Sequence, residues 1–264
     1  MNSVPATAII ASRDNKLIKQ LRRLGAHSTA YRKTGQFWVE GEHLCGAAAA
    51  RSLRPALLVL ADSFVDAAPA LWRERAARTV VLSDALFDEI SGLESPGRCG
   101  FLLDLPAIDA PQAGLASVVL DRVQDAGNVG SILRSAAAFG FSQVLALKGS
   151  AALWSPKVLR AGMGAHFGLR LVEGLETAQA LALDLPLIVT SSHHGSLLHQ
   201  QALPWPCVWA FGHEGQGVQA ALLSNALATV RIAQPGGQES LNVAAAAAIC
   251  LYASSIASGV QTPT

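Results

Sequence analysis

Three short clusters combine residue types that hold polar ligands. The first runs over 125–140 and begins Asp125-Ala126-Gly127-Asn128-Val129-Gly130-Ser131-Ile132-Leu133-Arg134. Asn128 is a good helix N-cap, and Gly127 and Gly130 allow a ligand close to the backbone. On a helix, Ile132, Leu133, Ala136 and Ala137 share one face, and Ser131, Arg134, Ser135 and Ala138 the other. Arg134 then stands alone among small residues, where it can receive a phosphate; an ordinary solvent-exposed Arg fits the spacing at least as well. The second cluster, Phe211-Gly212-His213-Glu214-Gly215-Gln216-Gly217, runs a strand into a glycine-rich loop with one carboxylate. Such a loop can wrap a nucleoside with its backbone groups. It matches neither GxxxxGKS, the triphosphate pattern, nor GxGxxG, the dinucleotide pattern. A tight turn with a surface Glu reads equally well. The third cluster, 232–244, is an irregular Pro235-Gly236-Gly237 loop followed by a helix start carrying Ser240 and Asn242. Those groups suit hydroxyls or anionic oxygens, or simply cap the helix.

Each cluster follows a predicted strand, the end at which open α/β sheets bind ligands. A strand over 117–120, a helix over 128–139 ended by Gly140 and a strand over 143–147 make a βαβ unit, hence a parallel sheet with a right-handed crossover. Further strands are expected over 187–190, 207–211 and 229–232. The last helix should start at Ser240 or Asn242 and run to about Ala253. Upstream, 56–60 and 79–82 look like buried strands alternating with helices. A boundary is expected between Ser95 and Gly114, where a turn-rich stretch and a Pro106-to-Pro111 linker flank a short apolar piece. The organisation read from this is α/β, with a smaller domain over 1–105 and a larger one over 115–264.

Composition narrows the classes. Of 264 residues, 51% are hydrophobic and 15% charged, which excludes a disordered solvating chain. The net charge of +1 excludes a uniformly basic nucleic-acid coat but not a local basic surface. Residues 1–54 hold nine Lys and Arg against three acids, and the remaining 210 hold eleven against sixteen. Over 15–25, apolar residues at 17, 18, 21 and 24 predict a helix with cations opposite and Gly25 as its stop. That face is either plainly solvated or a phosphate-contacting surface, with Arg13, Lys16, Arg22 and Arg23 as its candidates. No apolar run is long enough to span a bilayer, and the N-terminus lacks the layout of a secretory signal, so no membrane partner is expected. Cys45, Cys99, Cys207 and Cys250 form no CxxC pair, which points to reduced thiols in the cytoplasm. His193, His194 and His199 lack partners at metal spacing, so no metal is expected.

Taken in order, Asn128-x-Gly130-x-x-x-Arg134 with Phe139-Gly140, Gly212-x-Glu214-x-x-Gly217 and Ser240-Leu241-Asn242-Val243 resemble the motifs of the SpoU/TrmH family of SPOUT methyltransferases. Phe37-Trp38-Val39-Glu40-Gly41-Glu42-His43-Leu44, after the basic helix, is similar to the L30e-like RNA-binding domain of these enzymes. The resemblance implies S-adenosylmethionine-dependent methylation of an RNA ribose 2′-hydroxyl, a C-terminal trefoil knot and a homodimer built around it. It implies a cofactor pocket from Thr190, Ser191, Gly212, Glu214, Gly215, Ile232, Leu241 and Asn242. The active-site set it implies is Asn128, Arg134, Glu214, Ser240 and Asn242. A guanidinium keeps its proton, so Arg134 is expected to grip an RNA phosphate and stabilise the developing alkoxide, with the proton passing to that phosphate or to Glu214. The L30e-like head favours ribosomal RNA over tRNA as the partner. Two positions depart from the family: Ala233-Gln234 stands where many relatives have Pro-Met, and Ala253 where they often have an acid. A tRNA methyltransferase and a catalytically decayed RNA-binding or ribosome-assembly protein are the competing readings. A nicotinamide oxidoreductase is disfavoured by the missing GxGxxG.

Overall fold

A computed structural model describes residues 7–107, 110–236, 240–257 and 259. Residues 108–109 of the expected linker and 237–239 of the third cluster lie outside the described residues. The chain begins with β1 (Thr7–Ile10), α1 (Lys16–Ala26), α2 (Tyr31–Thr34), β2 (Gln36–Glu40), α3 (Glu42–Ala50), β3 (Leu57–Ala61), α4 (Ala70–Arg75), β4 (Thr79–Leu82), α5 (Asp84–Ile90) and β5 (Cys99–Asp104). It continues through β6 (Ser117–Asp121), α6 (Ala126–Ala138), β7 (Gln143–Leu147), α7 (Pro156–Gly162), β8 (Arg170–Leu175), α8 (Thr177–Leu181), β9 (Leu187–Thr190), β10 (Ser196–Leu197), β11 (Val208–Gly212), α9 (Ala220–Leu223), β12 (Ala228–Arg231) and α10 (Val243–Ala257). Two units result. One takes the described residues up to Ala107 together with Trp154–Phe167; the other takes the rest up to Leu153 and from Gly168 onward.

The first unit is built on a mixed sheet of order β1-β4-β3-β5-β2. α1 forms because the Asn15 side chain accepts from the Leu17 N–H at 2.9 Å, satisfying one orphan donor of the first turn. Ile18, Leu21 and Leu24 are buried, and the cations lie on the opposite side. Gly25 does not stop the helix. A Cβ there would stand 3.0 Å from the Ile90 carbonyl oxygen, so glycine serves a close approach, and the helix runs on to Ala26 with His27 as its C-cap. The apolar piece inside the expected boundary is β5, and it lies between β3 and β2 within the sheet. The Pro, Gly and Arg just before it hid a strand whose Cys99, Phe101, Leu102 and Leu103 are buried. Trp154–Phe167 joins this unit through aromatic packing: the Trp154 ring lies 4.6 Å from Phe37 and 5.4 Å from His166, centroid to centroid.

The second unit is a seven-stranded sheet of order β10-β12-β9-β11-β6-β7-β8 in which every ladder is parallel. Its α/β class and parallel sheet match the sequence reading. β6, β7, β9 and β11 are near-continuous apolar runs, as strands covered on both faces must be. β8 went unread because Arg170, Glu173 and Gly174 break its apolar pattern. α10 packs on α6 and β11. The buried Trp209 of β11 donates its indole N–H to Ser254 of α10 at 2.8 Å, which pins helix to strand and satisfies both groups. α10 extends four residues beyond the expected Ala253 because Ser254 belongs to its buried stripe with Ala247, Cys250 and Leu251. All four cysteines are buried and free, and burial pushes the Cys207 thiol up to about 11 and Cys250 up to about 12. No helix among the described residues is long and apolar enough to cross a membrane.

Candidate functional site

The helix that carries Asn128 and Arg134 is capped by Asp125, not by Asn128. The Asp125 carboxylate accepts from the Asn128 backbone N–H at 2.7 Å, so α6 starts two residues earlier than expected. This frees the Asn128 carboxamide. Its Nδ2 donates to Glu214 Oε1 at 3.1 Å, and its Oδ1 accepts from Asn242 Nδ2 at 2.9 Å. The Asn242 Oδ1 accepts from the backbone N–H groups of Ala244 and Ala245 at 2.9 and 3.2 Å, capping α10. Each amide has its orientation fixed from both sides, because a carboxylate only accepts and a backbone N–H only donates. The result is a directed relay from the N-terminus of α10 through Asn242 and Asn128 to Glu214, joining one residue from each of the three clusters.

Glu214 is the negative end of that relay. Burial by itself would push its carboxyl up. Its own backbone amide, the Asn128 side chain and the amides of Asp125 and Gln124 outweigh that and hold it below the ordinary carboxylate range. It is therefore an anion at neutral pH with its oxygens already engaged, a weak proton acceptor and a good organiser.

The loop that presents Glu214 closes on itself. The Gly217 N–H donates to the His213 carbonyl at 2.8 Å, and His213 Nδ1 accepts from the Gly215 and Gln216 N–H groups at 2.9 and 3.2 Å. A Cβ on Gly212 would stand 2.2 Å from the Gly217 carbonyl carbon and 2.3 Å from the Val218 nitrogen. Only glycine permits this fold-back. Gly212→Ala is expected to open the loop and weaken nucleoside binding at least about tenfold, measurable by calorimetry, because the clash is with backbone and not with a yielding side chain.

The base of the loop rests on residues the sequence reading missed. Asp121, fully buried, accepts from the Gln219 backbone N–H at 2.7 Å, from its Nε2 at 3.0 Å, and from Arg122 Nε at 2.9 Å. Arg122, at a positive φ of 59°, extends its guanidinium to Gln216 Oε1 at 2.8 Å. The available signal was an acid followed by a base at a strand's carboxyl end, just ahead of the first cluster.

A cavity of about 580 Å³ opens beside the loop. Thr190, Ser191, Gly212, Glu214, Gly215, Ile232, Leu241 and Asn242, the eight expected cofactor residues, all line it, and so does Ser240. Asn128 reaches it through Glu214 and Asn242. Arg134 does not line it; it is exposed on α6 and makes no ion pair among the described residues. Ala137, expected on the apolar face, is exposed too, since the buried stripe of α6 is Val129, Ile132, Leu133 and Ala136.

In the first unit, Lys19, Arg22, Arg23, His27 and Lys33 border a basic cleft of about 640 Å³. Of the four expected RNA-contacting residues, Arg13 and Arg22 are both paired with Glu89, the second at 2.6 Å, and Lys16 and Arg23 make no ion pair among the described residues. Lys19 pairs with Asp14 at 3.0 Å, and that side-chain hydrogen bond and charge hold the Asp14 carboxyl below its usual range. Lys33 was missed because α2 is a single turn with no periodicity to read, and His27 because it lies past the expected stop at Gly25, as the C-cap of α1. Arg23→Ala combined with Lys33→Ala is expected to flatten the salt dependence of RNA binding by roughly one to two counterions while leaving nucleoside affinity unchanged. Filter binding across a salt series checks it.

Residues 116–252 match the model of the SpoU rRNA methylase family, and residues 15–99 that of an MRM3-like substrate binding domain. The chain belongs to the SpoU rRNA methylase family. An uncharacterized tRNA/rRNA methyltransferase of Synechocystis is 32% identical over 256 residues, 93% of this chain and 92% of that protein. The 23S rRNA (guanosine(2553)-2′-O)-methyltransferase RlmP of Bacillus subtilis is 29% identical over 248 residues, 92% of this chain and 97% of its own length. Among solved structures, an AdoMet-bound rRNA methyltransferase from Sinorhizobium meliloti aligns with a TM-score of 0.81 at 25% identity, covering 94% of this chain and 97% of that one.

The family's cofactor, S-adenosylmethionine, suits the cavity. The volume lies within the roughly 300–1,000 Å³ of small-molecule sites. Hydroxyls of Thr190, Ser191 and Ser240 and the backbone of the glycine loop offer polar partners, Val218, Leu223 and Ile232 offer apolar surface, and the Glu214 anion suits a sulfonium.

Proposed function

We propose that the chain transfers a methyl group from S-adenosylmethionine to a ribose 2′-hydroxyl of structured RNA, with ribosomal RNA favoured over tRNA. The observation that carries this reading is the Asn242–Asn128–Glu214 relay at the edge of a nucleoside-sized cavity. Bound there, S-adenosylmethionine supplies a methyl group activated by its positive sulfur. Gly212, Gly215, Ile232 and Leu241 hold the adenosyl part, and Thr190 and Ser191 border it. Glu214 contributes its charge and fixes Asn128. Ser240 and Asn242, at the start of α10, orient the acceptor ribose. Arg134, exposed and uncommitted to any ion pair, holds the neighbouring phosphate and stabilises charge developing on the 2′-oxygen. The hydroxyl proton goes to that phosphate, since the Glu214 oxygens are already taken. The basic cleft of the first unit supplies phosphate contacts that position the RNA without reading bases. Comparing 2′-O-methyl maps of RNA from cells with and without this gene tests the reading: loss of a ribosomal RNA mark supports it, and loss confined to tRNA moves the substrate to the competing class.

The reading includes a homodimer and the knot implied by the resemblance. Ala245, Ile249, Tyr252 and Ile256 recur at helical spacing on the face of α10 opposite its buried stripe, and the last three are 42%, 54% and 61% exposed. Such a stripe is what a second copy would cover, and its position beside α6 brings the partner to Arg134. Ile249→Asp is expected to shift the chain to monomer in light scattering and to remove methylation with it.

A further inference from the structure

Gln234 lines the cavity, and its Oε1 is a buried acceptor with no hydrogen-bond partner among the described residues. Buried polar atoms in folded proteins are nearly always paired, so an unpaired one bordering a ligand cavity marks a place where the ligand completes the bond. An acceptor demands a donor.

Position decides which donor. Gln234 follows β12 by three residues. From β12 the sheet steps to β9, then β11, then β6. Three interstrand steps are about 14 Å. At the β11 and β6 end lie Glu214 and Asn128, where the reacting centre must sit. Thr190 and Ser191, at the end of β9, and Ile232 and Gln234, beyond β12, line the other end. The sulfonium carries two long arms, the adenosyl and the aminocarboxypropyl; with the adenosyl arm held against Ile232, as proposed above, its adenine lies toward Gln234, two residues further on. The donor on the rim of that ring is the exocyclic amine.

We propose that Gln234 Oε1 accepts a hydrogen bond from the exocyclic amine of the cofactor's adenine, making Gln234 the side chain through which this protein selects an aminopurine. The proposal rests on the cofactor reading of the cavity given above. By the resemblance noted in the sequence, Gln234 stands where many relatives have Met, which offers no comparable acceptor.

The test is calorimetry with S-adenosylhomocysteine and its 6-deamino analogue carrying unsubstituted purine, which has no group at C6 to donate to or accept from the Gln234 amide whichever way it is turned. The wild-type chain should bind the adenosyl compound at least about tenfold more tightly. In Gln234→Met, of similar length but lacking the oxygen, that ratio should fall about tenfold, and in Gln234→Glu, which keeps an acceptor, it should persist. An unchanged ratio in Gln234→Met overturns the proposal, even if both affinities drop together, because that assigns Gln234 to packing. Equal binding of the two compounds by the wild type overturns it as well. Failure of the wild type to bind either compound is a different result, overturning the cofactor reading and this proposal with it.

Discussion

Arg134→Lys is expected to lower the rate of methyl transfer by about 10²–10³-fold while leaving cofactor affinity unchanged. The guanidinium presents a planar fork that can hold a phosphate and a developing alkoxide together; the lysine ammonium keeps the charge but loses that geometry. Two observations separate the role from cofactor binding. Arg134 does not line the cavity, and no acid among the described residues pairs with it. Single-turnover transfer to RNA, measured beside calorimetry with S-adenosylhomocysteine, makes the comparison. If cofactor affinity falls as far as the rate does, Arg134 supports the pocket and not the reaction.

Asn128→Asp is expected to have an effect of similar size with a different signature. The substitution removes the N–H that Glu214 accepts at 3.1 Å and sets a second carboxylate in its place. Two like charges at that distance raise the apparent pKa of the pair, so near neutrality the loop carrying Glu214 is pushed from α6. Both transfer and cofactor affinity should fall, by about 10²-fold or more in rate. The sign of the pH response follows from the shared proton. As pH falls, the pair takes up one proton, a carboxyl O–H replaces the lost amide N–H, and cofactor affinity recovers. The wild type should not gain affinity over the same interval, because hydrogen bonds keep the Glu214 carboxyl below the ordinary range and ionised there. Calorimetry from pH 8 down to 5.5 distinguishes the two. Asn128→Ala should lose affinity without any recovery in acid.

The parallel sheet was legible because β6, β7 and β9 are short apolar runs bounded by turn residues, and the helix between the first two carries a buried stripe. The three clusters were legible as loops at strand ends. What joins them was not. No periodicity reveals that Asp125 takes the cap and so releases Asn128 to reach across to Glu214 and Asn242, residues 86 and 114 positions away. The role of Asp121 and Arg122 shows only where the chain returns at Gln216 and Gln219. In the first unit, β5 was hidden by its flanking turn residues, and Trp154–Phe167 could not be assigned to it because contacts such as Phe37 with Trp154 join residues 117 positions apart in sequence. A truncation at residue 105 would therefore uncover Trp154 as well as remove the basic cleft. The charge asymmetry pointed to a cationic face, but it could not tell that Glu89 pairs with Arg13 and Arg22, while Arg23 and Lys33 border the cleft with no ion pair among the described residues.

Incubating the purified chain with methyl-labelled S-adenosylmethionine and ribosomal RNA, digesting to nucleosides and resolving them by mass spectrometry tests the pocket's purpose most directly. The expected product is a single 2′-O-methylnucleoside, labelled by the wild type and lost in Arg134→Lys. Label on a base, or tight cofactor binding with no label on RNA at all, would contradict the account.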